Sequence, residues 1–369
     1  MPPASGSALA LLAAAAILSG CATLPPGSSY PKQASAAFAQ PEETQLGRQF
    51  ADVARDRQGS SAFRILSIGA EGFAARMQMI DAAEQSLDLQ YYIFRGDTTG
   101  RLLTHALLRA ADRGVRLRVL LDDGDTLAGD EQILVRSRHI LRSRSGSSTR
   151  SSIAATATSC AQSSSCSPLR VSTTACTTSC SLPTTRVRSS AAAMSATSTF
   201  RSPRTPNSPT TISSSGGPAV QKLSRTFDEY WNNALAIPVE ALAGGKPTEA
   251  ALVAHRALLA EQWQQAQSDD VSYVKLAKSG APRAGMIEGR LPLVWSTAQV
   301  LSDSPDKRSV EHGSMIGRLM YEPIAEAVKA VNSELLLVTP YFIPTAEEMK
   351  LLTDLRLRDV RVRILTNSL

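Results

Sequence analysis

The order helix, strand, helix, strand occurs twice in this chain of 369 residues, and that repetition constrains its fold more than any other feature. In the first copy, Phe73, Met77 and Ile80 recur at helical spacing, which predicts a helix over Gly72 to Glu84. Leu87 to Phe94 is rich in aliphatic and aromatic residues and reads as a strand buried on both faces. Asp97 is placed to cap the next helix, which carries Leu103, Leu107 and Ala110, and Gly114 to end it. Val115, Leu117, Val119 and Leu121 then alternate with Arg116 and Arg118, the pattern of a strand. The second copy has a helix over Ile316 to Val331, a strand region over Ser333 to Ile343, and a helix over Ala346 to Leu355. Its last strand alternates Val360, Val362 and Ile364 with Arg361 and Arg363. Ser86 to Val115 spans 29 positions and Ser333 to Val360 spans 27, so the chain reads as an internal duplication. Strands joined through helices imply a parallel sheet with helices packed on it, and sites often lie between two such units.

Between the copies, Pro218 opens a helix bearing Val220, Leu223, Phe227 and Trp231. Trp263 and Trp295 read as packing residues. Hydrophobic residues make up 43% of the chain and charged residues 20%, which places most of it in the globular class.

Residues 136–216 depart from that average. They contain no Asp, Glu or Lys, but ten Arg, dense Ser and Thr, and four of the five cysteines. No helix or strand period runs through them, and the expectation is a disordered segment. Without its ten arginines the net charge of +6 becomes −4, so the pI of 9.2 comes from this stretch alone. Scattered along the chain and not gathered on a face, these arginines do not point to a nucleic-acid partner.

At the N-terminus, Ala8 to Leu18 is too short to span a bilayer but has the size of a signal-peptide core. It ends in Leu18-Ser19-Gly20-Cys21, which resembles the lipobox of bacterial lipoproteins, although no Lys or Arg precedes the apolar run. The resemblance implies acylation at Cys21 and attachment to a membrane; Ala22 following it implies the outer membrane, facing the periplasm. Pro25 to Gln40, rich in Pro, Ser and Ala, reads as a flexible tether.

Three separated motifs carry a family resemblance. They are Leu87 to Phe94 with Gly100-Arg101-Leu102-Leu103 and Gly114 to Asp123; Phe227-Asp228-Glu229-Tyr230-Trp231-Asn232; and Thr339-Pro340-Tyr341-Phe342-Ile343-Pro344. Together they resemble the phospholipase D superfamily, nearest the bacterial cardiolipin synthases, over about residues 60–135 and 217–369. The resemblance implies a phospholipase D-type αβα sandwich of the α/β class, pseudo-duplicated, with its first half interrupted and its second half incomplete. It also implies phosphatidyl transfer or phosphodiester hydrolysis on membrane phospholipids, phosphatidylglycerol above all, without metal or other cofactor. In this family two His-x-Lys-x4-Asp motifs act together. One His attacks phosphorus, the other moves protons, and the Lys residues with nearby Asn stabilise the phosphoryl oxygens.

Neither motif is present in this chain. Its histidines are His105, His139, His255 and His312, and the residues two places on are Leu107, Leu141, Ala257 and Ser314. No catalytic residue carries over, and His105 reads as a surface histidine. Joining the last base of each codon to the first two of the next restores a motif under one choice of codons. Ala175 to Thr185 then reads M-H-N-K-L-F-V-A-D-N. In the same frame, residues 190–194 read G-G-R-N, 207–215 read F-A-D-Y-D-L-L-V and 142–151 read V-E-V-R-L-F-N-P-F. We read a frame shift entering near Val135 and undone near Gly217, with a genuine Ser/Thr-rich insertion as the alternative. The second motif is expected beyond Leu369.

Cys160, Cys166, Cys176 and Cys180 allow three disulfide pairings but match no common zinc spacing, and shifted codons account for them as well. Asp122, Asp123 and Asp125 close a strand where α/β folds often place sites, and a solvated loop is the plainer reading there. The expected organisation is a signal peptide over 1–21, a tether and N-terminal segment over 22–59, and the start of the first half over 60–135. The aberrant segment follows over 136–216, then the end of the first half with a connection over 217–310, and the start of the second half over 311–369. The expected activity of the chain as written is none. The alternatives are a non-catalytic membrane-anchored lipoprotein and a nuclease-type member of the superfamily.

Overall fold

A computed structural model describes residues 29–57, 59–66, 69–91, 94–122, 152–156, 184–189, 192–197, 212–242, 248–269, 272–279, 293–305, 320–339 and 342–366. After α1 (Gln45–Ala54) come β1 (Ser61–Leu66), α2 (Gly69–Ala82), β2 (Ser86–Tyr91), α3 (Thr98–Asp112) and β3 (Arg116–Asp122). The helix and strand boundaries lie within a few residues of those expected. Asp97 caps α3, its carboxylate accepting from the Gly100 N–H at 2.9 Å. Gly114 ends it at a φ of 89°, a conformation that a residue without a Cβ adopts without strain.

β4 (Ser152–Thr156), β5 (Thr184–Ser189), β6 (Ala192–Thr197) and β7 (Ile212–Gly216) all fall within residues 136–216. The expectation of disorder is therefore corrected for these four stretches. They join β8 (Ala236–Pro238) and β9 (Val294–Ser296) in a nine-stranded sheet of order β8-β4-β3-β2-β5-β6-β7-β1-β9. β2 and β3 run parallel, as strands joined through a helix require, and β4 runs parallel to β3, while β5 and its neighbours to β9 pair antiparallel. Strand pairing is made by the backbone, so β2 and β3 can recruit partners that lack apolar alternation.

One face of the sheet packs against α2 and α3. Leu87, Leu89, Leu117, Val119 and Leu121 meet Phe73, Met77, Ile80, Leu103 and Leu107 there. α2 is buried from Gly72 to Ile80, not only along its Phe73 stripe. Its outer side is covered by α7 (Ser272–Ser279), and the Gln78 amide donates to the carbonyls of Leu276 and Ala277 at 3.4 and 3.1 Å. The helices concerned are α4 (Pro218–Asn232), α5 (Val239–Leu242), α6 (Glu249–Ser268) and α7 (Ser272–Ser279). α6 lies across α3, where Arg256 pairs with Asp112 at 2.6 Å.

The opposite face is held by charge. Arg118, between Leu117 and Val119 on β3, is only 1% exposed. Its Nε and Nη2 donate to the two carboxylate oxygens of Asp88 at 2.7 and 2.8 Å, and Nη2 also donates to Asp228 of α4 at 2.7 Å. The guanidinium lies 4.8 Å from the Phe227 ring centre and 5.7 Å from that of Trp231. Burial works against its charge, but the two carboxylates outweigh burial and raise its pKa above the ordinary guanidinium value.

The remaining donor, Nη1, reaches the Ser35 carbonyl at 2.8 Å. Residues 32–37 thus form a strap across the sheet, which corrects the reading of Pro25 to Gln40 as a free tether over that stretch. Asn232 exchanges hydrogen bonds with Ser35 at 3.0 and 3.1 Å, and the Ala37 N–H donates to Asp228 at 3.0 Å. Arg116 donates to Ser35 Oγ and the Ala36 carbonyl at 2.9 and 2.8 Å. Lys32 donates to the carbonyls of Asn233 and Ala236. Composition alone concealed this docking, because the strap binds mainly through its backbone.

The second unit holds α8 (Tyr321–Lys329), β10 (Glu334–Val338), α9 (Ala346–Leu357) and β11 (Arg361–Leu365). β10 and β11 are parallel, with Glu334 opposite Arg361 and Leu336 opposite Arg363. The duplication is borne out in detail. Val115 N–H reaches the Ala110 carbonyl at 3.1 Å, and Val360 N–H reaches that of Leu355 at 3.1 Å. Asp359, at φ 60°, stands where Gly114 stands in the first unit.

Replacing one member of a buried ion network leaves the others charged without compensation, at about 3–5 kcal/mol. Arg118→Met is expected to lower unfolding stability by about that amount. Urea titration checks it, and a loss below about 1 kcal/mol would show that the network does not hold the layers together.

Candidate functional site

Among the described residues, none of those considered from the sequence forms a catalytic centre. His105, expected at the surface, is half-buried between α3 and α6, its ring stacked on Trp263 with centres 5.9 Å apart. Burial lowers its pKa below 6.5, Arg109 and Arg256 lower it further, and Asp112 and Asp81 oppose them. Trp263 thereby acts as a packing residue, and Trp295 likewise stacks on Phe50 at 5.9 Å. His255 lies on α6, on a different helix from His105. His139, His312, Cys21, Asp123, Asp125 and Cys160, Cys166, Cys176 and Cys180 lie outside the described residues, while Asp122 closes β3. Among the described residues no cluster of His, Cys, Asp or Glu is arranged to hold a metal ion. No helix among them is long and apolar enough to cross a membrane.

The Arg118 network is not a reaction site either. Its guanidinium is buried and its donors are engaged by Asp88, Asp228 and Ser35.

Among the described residues, a small cavity of about 30 Å³ lies at the C-terminal end of β2, against the start of α3. Its walls include Phe73 and Arg76 from α2, Tyr91 at the end of β2, and Arg95 and Asp97 from the connection. Open α/β sheets take ligands at this end of their strands. Arg76 is 2% exposed, and its Nη1 donates to the Gly72 carbonyl at 3.0 Å. Tyr91 is 7% exposed, and its hydroxyl has no hydrogen-bond partner among the described residues. Its ring meets Phe94 edge-on at 5.0 Å. Burial pushes the Tyr91 phenol up to about 12 against the pull of the Arg76 guanidinium, so it is a neutral donor at physiological pH.

Two signals for this cavity stand in the sequence. Arg76 falls at the i+3 position from Phe73 on an otherwise apolar stripe, and Tyr91 closes a strand read as buried on both faces. β5 starts over the same end of β2, since Arg186 pairs with Gln90 and Ser189 with Leu87. The shifted-frame reading M-H-N-K-L-F-V-A-D-N runs over Ala175 to Thr185 and so leads into this strand.

Comparison with known proteins bears on the family. Residues 77–163 match a family described as "Cardiolipin synthase, PLD-like domain". Cardiolipin synthase C of Escherichia coli (strain K12) is 27% identical over 317 residues, 81% of this chain and 61% of the relative. Cardiolipin synthase of Geobacillus thermodenitrificans (strain NG80-2) is 38% identical over 63 residues, 17% of this chain and 12% of the relative. In fold, the chain is similar to the crystal structure of phosphatidylserine synthase from Haemophilus influenzae Rd KW20. The TM-score is 0.50 at 12% identity, over 86% of this chain and 65% of that one. The chain thus spans less than two thirds of the length of each of these proteins.

A His105 kept neutral in the fold binds fewer protons than in the unfolded chain. Stability is therefore full above pH 6.5 and declines as pH falls below it. The thermal midpoint is expected to drop more between pH 7.5 and pH 5.5 in the wild type than in His105→Gln. Equal drops in the two proteins would remove His105 as the cause.

Proposed function

We propose that this chain, which carries a phospholipase D-like domain of the cardiolipin synthase type, comes from a phosphatidyl-transferring lineage and keeps the scaffold without the chemistry. The observation that carries this reading is chemical. Transfer through a phosphohistidine needs a His as nucleophile and a Lys two residues on to steady the phosphoryl oxygens. Here His105, His139, His255 and His312 are followed at that place by Leu107, Leu141, Ala257 and Ser314. The lineage's substrates are membrane phospholipids, with phosphatidylglycerol giving cardiolipin. Names of relatives support this assignment over a nuclease, since two of them are cardiolipin synthases.

What remains is the part of the fold that orients such a site. Asp88 and Arg118 from the first motif and Asp228 from the second join in a single network. Its role is positional, because the guanidinium is 1% exposed and is held by Asp88, Asp228 and the Ser35 carbonyl. Cys21 in Leu18-Ser19-Gly20-Cys21 would attach the protein to the outer membrane through acyl chains, facing the periplasm.

Purified full-length chain incubated with phosphatidylglycerol vesicles is expected to form no cardiolipin above the protein-free blank, measured by mass spectrometry of the extracted lipid. Expression of the gene with residues 136–216 read in the alternative frame and with the coding sequence continued past Leu369, so that both motifs are supplied, gives the comparison. Cardiolipin made by the chain as written would overturn the reading. Labelling cells with radioactive palmitate is expected to mark the wild type and not Cys21→Ser; equal labelling would refute acylation at Cys21.

A further inference from the structure

We propose that the open face of the β10–β11 pair is a docking surface for an amphipathic helix of a partner protein. That helix carries an aromatic residue, a carboxylate directly after it, and a second aromatic one helical turn on from the first. The internal duplication carries the inference, because the same chain shows what the equivalent face receives. Through their parallel registers, β2 and β3 place Asp88, Gln90, Arg118 and Leu120 where β10 and β11 place Leu336, Val338, Arg363 and Leu365. In the first unit α4 covers these positions. Phe227 and Trp231 pack on Leu120, and Asp228 accepts from Arg118 at 2.7 Å. In the second unit they stand open, with Leu336, Val338 and Leu365 at 57%, 52% and 48% exposure.

These three residues form one patch. Leu336 and Val338 share a face of β10, and Leu365 is the neighbour of Val338 across the pair. A contiguous apolar patch rimmed by charge marks an interaction surface, where single exposed apolar residues do not. Residues two apart on a strand lie about 7 Å from one another, close to the about 6 Å between residues four apart on a helix. The patch therefore matches the spacing of two aromatics one turn apart. Leu336 and Val338 replace an aspartate and a glutamine of the first unit, so the seat is more apolar than the one under α4.

The charge on the face selects the carboxylate. Arg361 and Arg363 both turn to Glu334, at 3.9 and 2.8 Å, so two guanidinium groups share one carboxylate. Arg363 holds Glu334 through Nε, as Arg118 holds Asp88 through Nε. Arg118 then gives Nη2 to Asp228 of α4, and the 59% exposed side chain of Arg363 leaves room for a partner carboxylate to do the same. A second copy of this chain does not offer α4 for the purpose, because Phe227, Asp228 and Trp231 are held by the first unit. Glu334, within the face, opposes an anionic lipid surface.

The probe is a fluorescein-labelled synthetic peptide of residues 218–232, whose Phe227, Asp228 and Trp231 supply the required pattern. Fluorescence anisotropy follows its binding to the full-length chain, and saturable binding is expected. Arg363→Asp is expected to weaken it about tenfold or more, the loss of one partner of a buried charge pair. A peptide with Asp228→Arg is expected to bind the wild type poorly and Arg363→Asp at restored affinity, which a merely structural role of Arg363 would not produce. Leu336→Gln is expected to weaken the unaltered peptide without rescue by either change. Both substituted positions are exposed, so the thermal midpoints are expected to match the wild type. Absence of saturable binding overturns the proposal. So does equal binding to wild type, Arg363→Asp and Leu336→Gln, which would mean exchange with α4 on the first unit. Flotation with vesicles of phosphatidylglycerol in phosphatidylcholine that Leu336→Gln abolishes would assign the face to a lipid surface instead. A dimer by light scattering that Leu336→Gln dissociates would assign it to a second copy, and either result overturns the proposal.

Discussion

The guanidinium of Arg118 is the point on which the two layers and the strap depend. Three other parts of the chain reach it: Asp88 on β2, Asp228 on α4 and the Ser35 carbonyl. An arginine at 1% exposure is tolerable only with its donors engaged. That requirement fixes geometry as well as energy. Asp88 and Arg118 are partners in the β2–β3 register, and a slip of one residue would turn Arg118 into the apolar layer against α2 and α3. Phe227 and Trp231, stacked 5.9 Å apart, close the space around the charge, so α4 can sit in only one place on the sheet.

What could be read from the sequence follows from the range of each interaction. The Asp97 cap, the Gly114 stop and the alternation in β3 are local, and each was legible. The burial of Arg118 was not, because its cover comes from residue 228 and residue 35, far along the chain in both directions. The same distance hid the strap, whose contacts run through backbone carbonyls and amides that leave no mark in composition. α2 carried a stripe at Phe73, Met77 and Ile80, but α7 also covers its other side, so the stripe understated its burial. Strands β4 to β7 were missed because their pairing depends on edges offered by β2, β3 and β1, and not on a period of their own. For the site, the absence of both His-x-Lys motifs was legible directly. The cavity at Tyr91 was not, since it forms where three separate segments meet.

The duplication separates what a strand–helix–strand unit specifies by itself from what its neighbours impose. Both units end their helix with a left-handed residue, make the same backbone turn into a valine, and place two arginines on one face of the second strand. They differ in what covers that face. In the first, Arg118 pairs with Asp88 beneath α4. In the second, Leu336 occupies the place of Asp88 at 57% exposure, and Arg363 turns to Glu334 at 2.8 Å in the open. The local unit sets the arginines, and the covering elements decide whether they become a buried network or solvated pairs.

The strap also sets an order of events. Ser35 is bound by Asn232 across 197 residues of chain, and Lys32 by the Ala236 carbonyl across 204. A ribosome delivers the strap long before the surface that receives it, so the earliest of these residues to be synthesised are among the last to settle. Contacts of such separation slow folding, because a long loop must close before they reward it. Until α4 arrives, Asp88 and Arg118 have each other but no roof, and that face of the sheet stands open to other chains. The strap is thus a clasp fastened at the end of synthesis, and the time it spends unfastened is the interval in which this protein is most exposed to misassembly.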